Sequence, residues 1–497
     1  MSTTAQPDPP GAGTAERTGG HAAGAVEQHG YDFIPEAERY MTPRQLGFFW
    51  AGINSYQFFF VLGAGAIALG LSLVQALIAV VVGNALFGLV AYSSIAGPRA
   101  GLPALTLSRA PFGVFGNRIN ALFTWAMSLG FKTVNGLLGV FAVLALFDRL
   151  GWHHSGAPGK VLATLLVLGA AIVIAVTGHR LLVKVQPYFA VAVAVVFALL
   201  LCFTVGGVDW NWHPPHHAGG GGNWLALIVS AAALIASGSL SYLVVSPDYA
   251  RYLPSGTPVR KVFPRVLGGG AGMAVYLGIA GVLVATRTDL TDPVAGVQPL
   301  VPGWLYVLYI VACFLGSISN NASVFYSSGL AIQAIGIPLK RWLATALDAT
   351  LALAAVLLIL FVYDFETALN EFLSLVNVWA GPFAAVWIVD GVLRRWHYDQ
   401  HDIHTSDRSS RYWGVGGVNV QGLIALACGM ATGLLTINSP LLHSWLSGRL
   451  GGADLSWFLP ILVSGAAYLL LAGRRVRGER EQVDGEQGDR GSRPTRP

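Results

Sequence analysis

From residue 45 to residue 473 the chain repeats apolar runs of about 20 residues, the length a helix needs to cross a roughly 30 Å hydrocarbon layer. The runs predict twelve membrane helices, over 45–71, 73–97, 119–147, 161–178, 182–206, 224–246, 266–286, 303–333, 342–363, 371–393, 414–437 and 455–473. Residues 1–43, rich in Gly, Ala, Pro and polar side chains, read as a disordered tail without a signal peptide. Residues 44–393 hold ten spans and residues 394–473 two more. Residues 474–497 are charged, lack apolar periodicity and read as a solvated tail.

Polar residues interrupt four of these spans. In the first, FFWAGINSYQFFFVLGAG, Gly52, Asn54, Ser55, Tyr56 and Gln57 fall in mid-membrane, where an unsatisfied amide costs several kcal/mol. That clustering suggests an unwound stretch facing a solute, with Asn54 and Gln57 as candidate ligands; interhelical packing is the structural alternative. In the third span Phe131 and Asn135 are four residues apart and share a helix face, offering a ring and an amide. Lys132 lies near the centre of the same span, where a charge is costly. It could neutralise an anionic solute, pair with a buried carboxylate such as Asp348, take the place of a bound cation, or snorkel into a wet cavity.

The sixth span contains Ser237-Gly238-Ser239, a plausible break, and closes on Pro247 and Asp248. The eighth contains GSISNNASVFYSSGLAIQ, a wet face in which Ser319, Asn320, Asn321 and Ser323 are candidate ligands. Such oxygen donors suit Na⁺, especially if carbonyls of a broken first helix complete the shell. Spans one and six occupy corresponding positions in two five-helix halves, which points to a LeuT-type inverted repeat.

Composition narrows the class further. The 497 residues are 54% hydrophobic and 11% charged, with mean hydropathy +0.59, against roughly 25% charged in a soluble domain. The net charge of +5 reports topology and not nucleic acid. With twelve crossings and both termini cytoplasmic, Arg149, Lys160, Arg287 and Arg449 fall outside and Lys132 within a span. The remaining 25 of the 30 Lys and Arg residues lie on the cytoplasmic side, as the positive-inside rule requires. Cys202, Cys313 and Cys428 sit in apolar runs without metal-site spacing. The histidines at 153, 154, 213, 216 and 217 follow no defined ligand pattern. No HExxH, paired catalytic carboxylates or Ser/His/Asp set is buried in the spans, which argues against an enzyme, and no repeated filter motif indicates a channel.

Four motifs in order carry a resemblance: GPRAGLPALTLSRAPFGVFGNRINAL after the second helix, SPDYARY closing the sixth, SNNASVFYSSGLAIQ in the eighth and GPFAAVWIVDGVLRR ending the tenth. From about Tyr31 to Arg395 the chain resembles the nucleobase:cation symporter-1 family, and within it the purine–cytosine permease branch. The resemblance implies an all-α inner-membrane protein, with a LeuT-like core of ten helices plus two more. It implies symport of cytosine, purines, uracil, allantoin or hydantoins with Na⁺ or H⁺, without another cofactor; the oligomeric state stays open.

By the same resemblance the heterocycle lies between Phe131 and a residue of the sixth helix, Ser239 or Leu240, held by Asn135, Asn320 and Asn321. The cation is held by Ser319 with carbonyls near Gly52 and Ile53. Three positions depart from the family pattern: Ser239/Leu240 replaces an aromatic residue, Val324 an asparagine, and Lys132 is additional. They point toward a modified or anionic heterocycle.

Overall fold

The computed structural model describes residues 32–152, 156–214, 223–336 and 341–492. Among these the regular elements are helical, with only isolated bridges outside them. The main helices are α1 (Pro43–Ile53), α2 (Phe58–Ala68), α3 (Leu73–Asn84), α4 (Gly116–Arg149), α5 (Gly156–Thr177), α6 (His179–Thr204) and α7 (Trp224–Leu243). They continue with α8 (Val259–Ala285), α9 (Gly303–Ile335), α10 (Arg341–Val362), α11 (Phe365–Arg394), α12 (Val420–Thr436) and α13 (Leu459–Ser492). Ten helices are long and apolar enough to cross a membrane, or eleven when α1 and α2 count as one broken span. The expected twelve differ by α12, whose apolar helix runs for 17 residues, at the lower limit of crossing length.

The ends depart from expectation. Residues 1–31 lie outside the described residues, and residues 32–42 are not a free tail: Ile34 and Met41 are buried, and their amides donate to the carbonyls of Gly101 and Tyr252, both at 3.0 Å. Thr42 and Gln45 then form a capping box with Pro43 at the first helical position, a strong start signal. At the other end α13 continues well past residue 473 to Ser492, and Glu479 accepts from the Arg394 guanidinium at 2.6 Å.

α1 and α2 meet at 49°. Two intervening polar residues cap the end of α1 from within, Asn54 Nδ2 donating to Trp50 O at 2.8 Å and Ser55 Oγ to Ala51 O at 2.6 Å, while Gln57 Nε2 donates across to Leu138 O of α4 at 2.8 Å. Side chains thereby satisfy carbonyls that lipid could not. The break expected at Ser237-Gly238-Ser239 is absent, because α7 runs unbroken to Leu243. Ser237 and Ser241 donate back to Leu234 O and Gly238 O, so their hydroxyls need no interruption. Gly238 instead admits the rings of Phe58 and Phe59. The chain breaks a turn later, before the short helix Ser246–Ala250.

α8 packs on α1 and α2 backbone to backbone. A Cβ at Gly281 would lie 1.9 Å from Phe60 O, one at Gly63 2.0 Å from Gly278 O, and one at Gly269 2.2 Å from Gly47 O. Small residues permit such approach, and van der Waals contact then drives association within lipid. Gly281→Ala is therefore expected to lower the yield and melting temperature of detergent-purified protein, by an overpacking cost of about 1–3 kcal/mol. Gly272→Ala, where a Cβ meets nothing within 4 Å, should be neutral; equal behaviour of the two variants would contradict this packing.

Candidate functional site

The polar side chains of four helices converge beside the α1–α2 break. Asn320 of α9 is their hub: its Nδ2 donates to Ile53 O and to Tyr242 Oη, both at 2.7 Å, and its Oδ1 accepts from Asn135 Nδ2 at 2.5 Å. Next to it lies a small cavity of about 30 Å³, lined among others by Tyr56, Phe131, Tyr242, Tyr249, Asn320 and Ser327. Phe58 links two of its walls, stacked on Tyr56 at 5.5 Å and edge-on to Phe131 at 6.0 Å. Trp50 meets Tyr242 edge-on at 5.4 Å. Aromatic faces with a fixed amide and hydroxyls thus line this cavity.

A second polar group lies on the other side of the break. Ser319 Oγ is 2.9 Å from Gly52 O and 2.6 Å from Gln186 Oε1. A hydroxyl has one proton to give, so these three oxygens hold more acceptor capacity than one serine satisfies. Gly52 is required here, since a Cβ would fall 2.2 Å from Gln186 Oε1.

The third cluster surrounds Lys132. Its ammonium is in an ion pair with Asp348 of α10, donates to Ser328 Oγ at 2.9 Å, and lies 4.9 Å from the centre of the Phe325 ring. Asp348 also accepts from Trp125 Nε1 at 3.1 Å and Ser328 Oγ at 2.8 Å. Of the readings open for Lys132, the structure takes the pairing with Asp348.

Of the residues singled out from sequence, Phe131 and Asn320 line the cavity, Asn135 stands behind the wall bonded to Asn320, and Gly52 and Ser319 meet beside it. Ile53 offers its carbonyl to Asn320 and Tyr242, on the cavity's side of the break. Asn54 and Gln57 are engaged by backbone carbonyls, and Ser239 and Leu240 are buried outside the cavity wall. Asn321 is buried next to Gly136, and neither amide atom has a partner within the protein. The aromatic residue that α7 places on the cavity wall is Tyr242, three positions after Ser239 and one helical turn along. Gln186 also escaped the reading, although an amide inside the apolar run 182–206 is the same signal that marked the other spans.

A larger cavity of about 520 Å³ opens at the far end of α2, with Trp212, Arg287, Asp289 and Glu366 among its walls. At the opposite end, near the start of α1, packing is dense: Arg251 donates to Tyr326 Oη at 2.9 Å, and Asp248 accepts from the Ala104 amide at 2.8 Å. No cluster of three or more His, Cys, Asp or Glu residues able to hold a metal occurs among the described residues; the histidines at 153, 154, 216 and 217 lie outside them.

The fold matches Mhp1, a nucleobase-cation-symport-1 family transporter solved in a closed conformation with bromovinylhydantoin bound. The TM-score is 0.74 at 18% identity, over 92% of this chain and 97% of that one. A Na⁺-coupled sialic acid symporter matches at 0.58 and 13% identity, over 89% and 91% of the two chains. A putative purine-cytosine permease of Bacillus subtilis, YxlA, is 24% identical over 466 residues, covering 91% of this chain and 97% of the relative. The allantoin permease of the same organism is 25% identical over 468 residues, covering 88% and 92%. The model of the family described as permease for cytosine/purines, uracil, thiamine, allantoin matches residues 33–459, and the chain belongs to that family as a multi-pass membrane transporter and not an enzyme.

Proposed function

We propose that the protein carries a flat nucleobase-type heterocycle, of the cytosine, purine, allantoin or hydantoin kind, together with Na⁺ or H⁺. The observation that carries this reading is the Asn320 hub, which ties α4, α7, α9 and the broken first span to one aromatic-lined cavity. Phe131 and Tyr242 supply faces for the ring, and Asn320, held in place by Asn135, its edge hydrogen bonds. The cation fits the oxygens of Gly52, Ser319 and Gln186, because hard donors of this type satisfy an alkali ion or a shared proton.

Alternating access is supported by the asymmetry between the open cavity at the far end of α2 and the dense packing around Arg251. Counting α12 as a crossing gives twelve spans with both termini cytoplasmic, the arrangement the Lys/Arg distribution favours. The alternative of an anionic solute held by Lys132 is weakened, because that ammonium already has Asp348.

The test is uptake of radiolabelled cytosine, adenine, hypoxanthine, uracil, allantoin and hydantoin into proteoliposomes, with imposed Na⁺ or pH gradients. Saturable uptake of at least one, driven by one of the gradients, is expected. Tyr242→Ala and Phe131→Ala should each weaken apparent affinity about 5-fold or more, from a stacking contribution of roughly 1 kcal/mol. Absence of uptake by correctly folded protein across the whole panel would overturn the reading.

A further inference from the structure

The ends of three spans meet on the side where α1 begins: Arg99 at the end of the span Leu73–Ala100, Val259 at the start of α8, and Arg395 just after α11. Between them is a cavity of about 310 Å³. Arg99, Arg395 and His397 line it without any Asp or Glu on its wall. Neither arginine is paired with a carboxylate among the described residues. Their neighbour Arg394 shows the contrast, since it is buried and bonded to both Asp390 and Glu479.

The backbone at this cavity is strained. Arg395 and Trp396 have φ of 55° and 58°, the only positive values at non-glycine positions among the described residues. A left-handed conformation costs an L-residue free energy that glycine would not require. Trp396 is held there by its ring, which fills the niche over Gly391, where a Cβ would lie 2.2 Å from the indole. Arg395 is held by its carbonyl, which accepts from Arg99 Nη1 at 2.5 Å. Its guanidinium has no partner of this kind and is exposed.

We propose that this cavity binds the headgroup of an anionic phospholipid in the leaflet facing the α1 side, the cytoplasmic leaflet on the topology given above. Arg99, Arg395 and His397 receive the phosphate, a chemistry to which the guanidinium fork is matched. The mouth fits a lipid better than a soluble anion. Val259 and Val392 are 38% and 50% exposed beside the basic residues, an apolar track for an acyl chain. Tyr92, half-buried on the wall, supplies an aromatic residue of the kind favoured at the headgroup level. Basic pockets between helix ends at this depth are a recognised mode of headgroup binding.

The test uses the purified full-length protein in detergent, measuring its thermal midpoint on titration with phosphatidylglycerol, phosphatidylcholine or inorganic phosphate. Phosphatidylglycerol is expected to raise the midpoint saturably, with little effect of the other two. Arg99→Gln and Arg395→Gly should each weaken the apparent phosphatidylglycerol affinity about 5-fold, the factor expected for one basic residue at an anionic surface. Arg395→Gly also relaxes the left-handed backbone, so its lipid-free midpoint should hold or rise, which separates lost binding from lost folding. Equal shifts with phosphatidylcholine, or an undiminished response in Arg395→Gly, would overturn the proposal. Inorganic phosphate protecting as well as phosphatidylglycerol would also overturn it, by making the occupant a soluble anion.

Discussion

Lys132→Met alone is expected to destabilise the protein by about 3–5 kcal/mol, because it leaves the Asp348 carboxylate buried and without its counter-charge. Asp348 is 1% exposed, with only Trp125 and Ser328 left as donors. The loss falls on α10, the span least enclosed by its neighbours: 17% of its apolar window is buried, against 67% for α9. The ion pair ties this sparsely buried helix to α4. The measurement is the fraction of monodisperse protein after heating, read by size-exclusion chromatography.

The double variant Lys132→Met/Asp348→Leu should recover most of that stability, as removal of both members of a buried pair is often neutral or favourable. A double variant as unstable as the single one would show that the pair is not the source of the effect. If the double variant folds and still concentrates solute against its gradient, the pair has a structural role; if it folds and only equilibrates solute, the pair participates in coupling.

Asn320→Ala should reduce uptake efficiency about 100-fold. The substitution removes the one side chain that joins Asn135, Tyr242 and the carbonyl of Ile53. Each buried partner left unsatisfied costs about 1–3 kcal/mol, and two of them correspond to roughly two orders of magnitude in binding. Initial uptake rates normalised to the amount of inserted protein make the comparison. Near-normal uptake would remove Asn320 from the solute path, whereas loss of insertion would show that the hub supports the fold. Asn320→Gln, which retains the amide on a longer stem, should retain part of the activity.

Much of this arrangement is legible in the chain because a bilayer penalises polar groups so heavily that each one in an apolar run needs a reason. Phe131, Asn135, Asn320, Ser319 and the break at Asn54–Gln57 stand out on that ground. The same rule misleads where a polar side chain serves its own helix. Asn54 marks the interruption correctly but bonds back to Trp50 O, and Ser237 and Ser241 bond back to their own turn. Tyr242 is hard to see for the opposite reason: a tyrosine near a helix end resembles an interfacial anchor, and only its contacts with Trp50 and Asn320 show that it points inward. The pairing of Lys132 with Asp348 spans 216 residues of sequence, so the lysine's cost is visible in one segment and its compensation lies in another.

The self-capped interruption between α1 and α2 has an energetic consequence for how such a carrier moves. Its carbonyls at Ala51 and Trp50 are already satisfied by neighbouring side chains, so no solute or ion is needed to keep the first span from rewinding. The two halves behave as rods joined at a preformed elbow. A rearrangement that keeps these hydrogen bonds moves intact helices and needs no helix–coil step at the elbow. The glycine seam is then the surface along which such intact rods meet α8 at backbone distance.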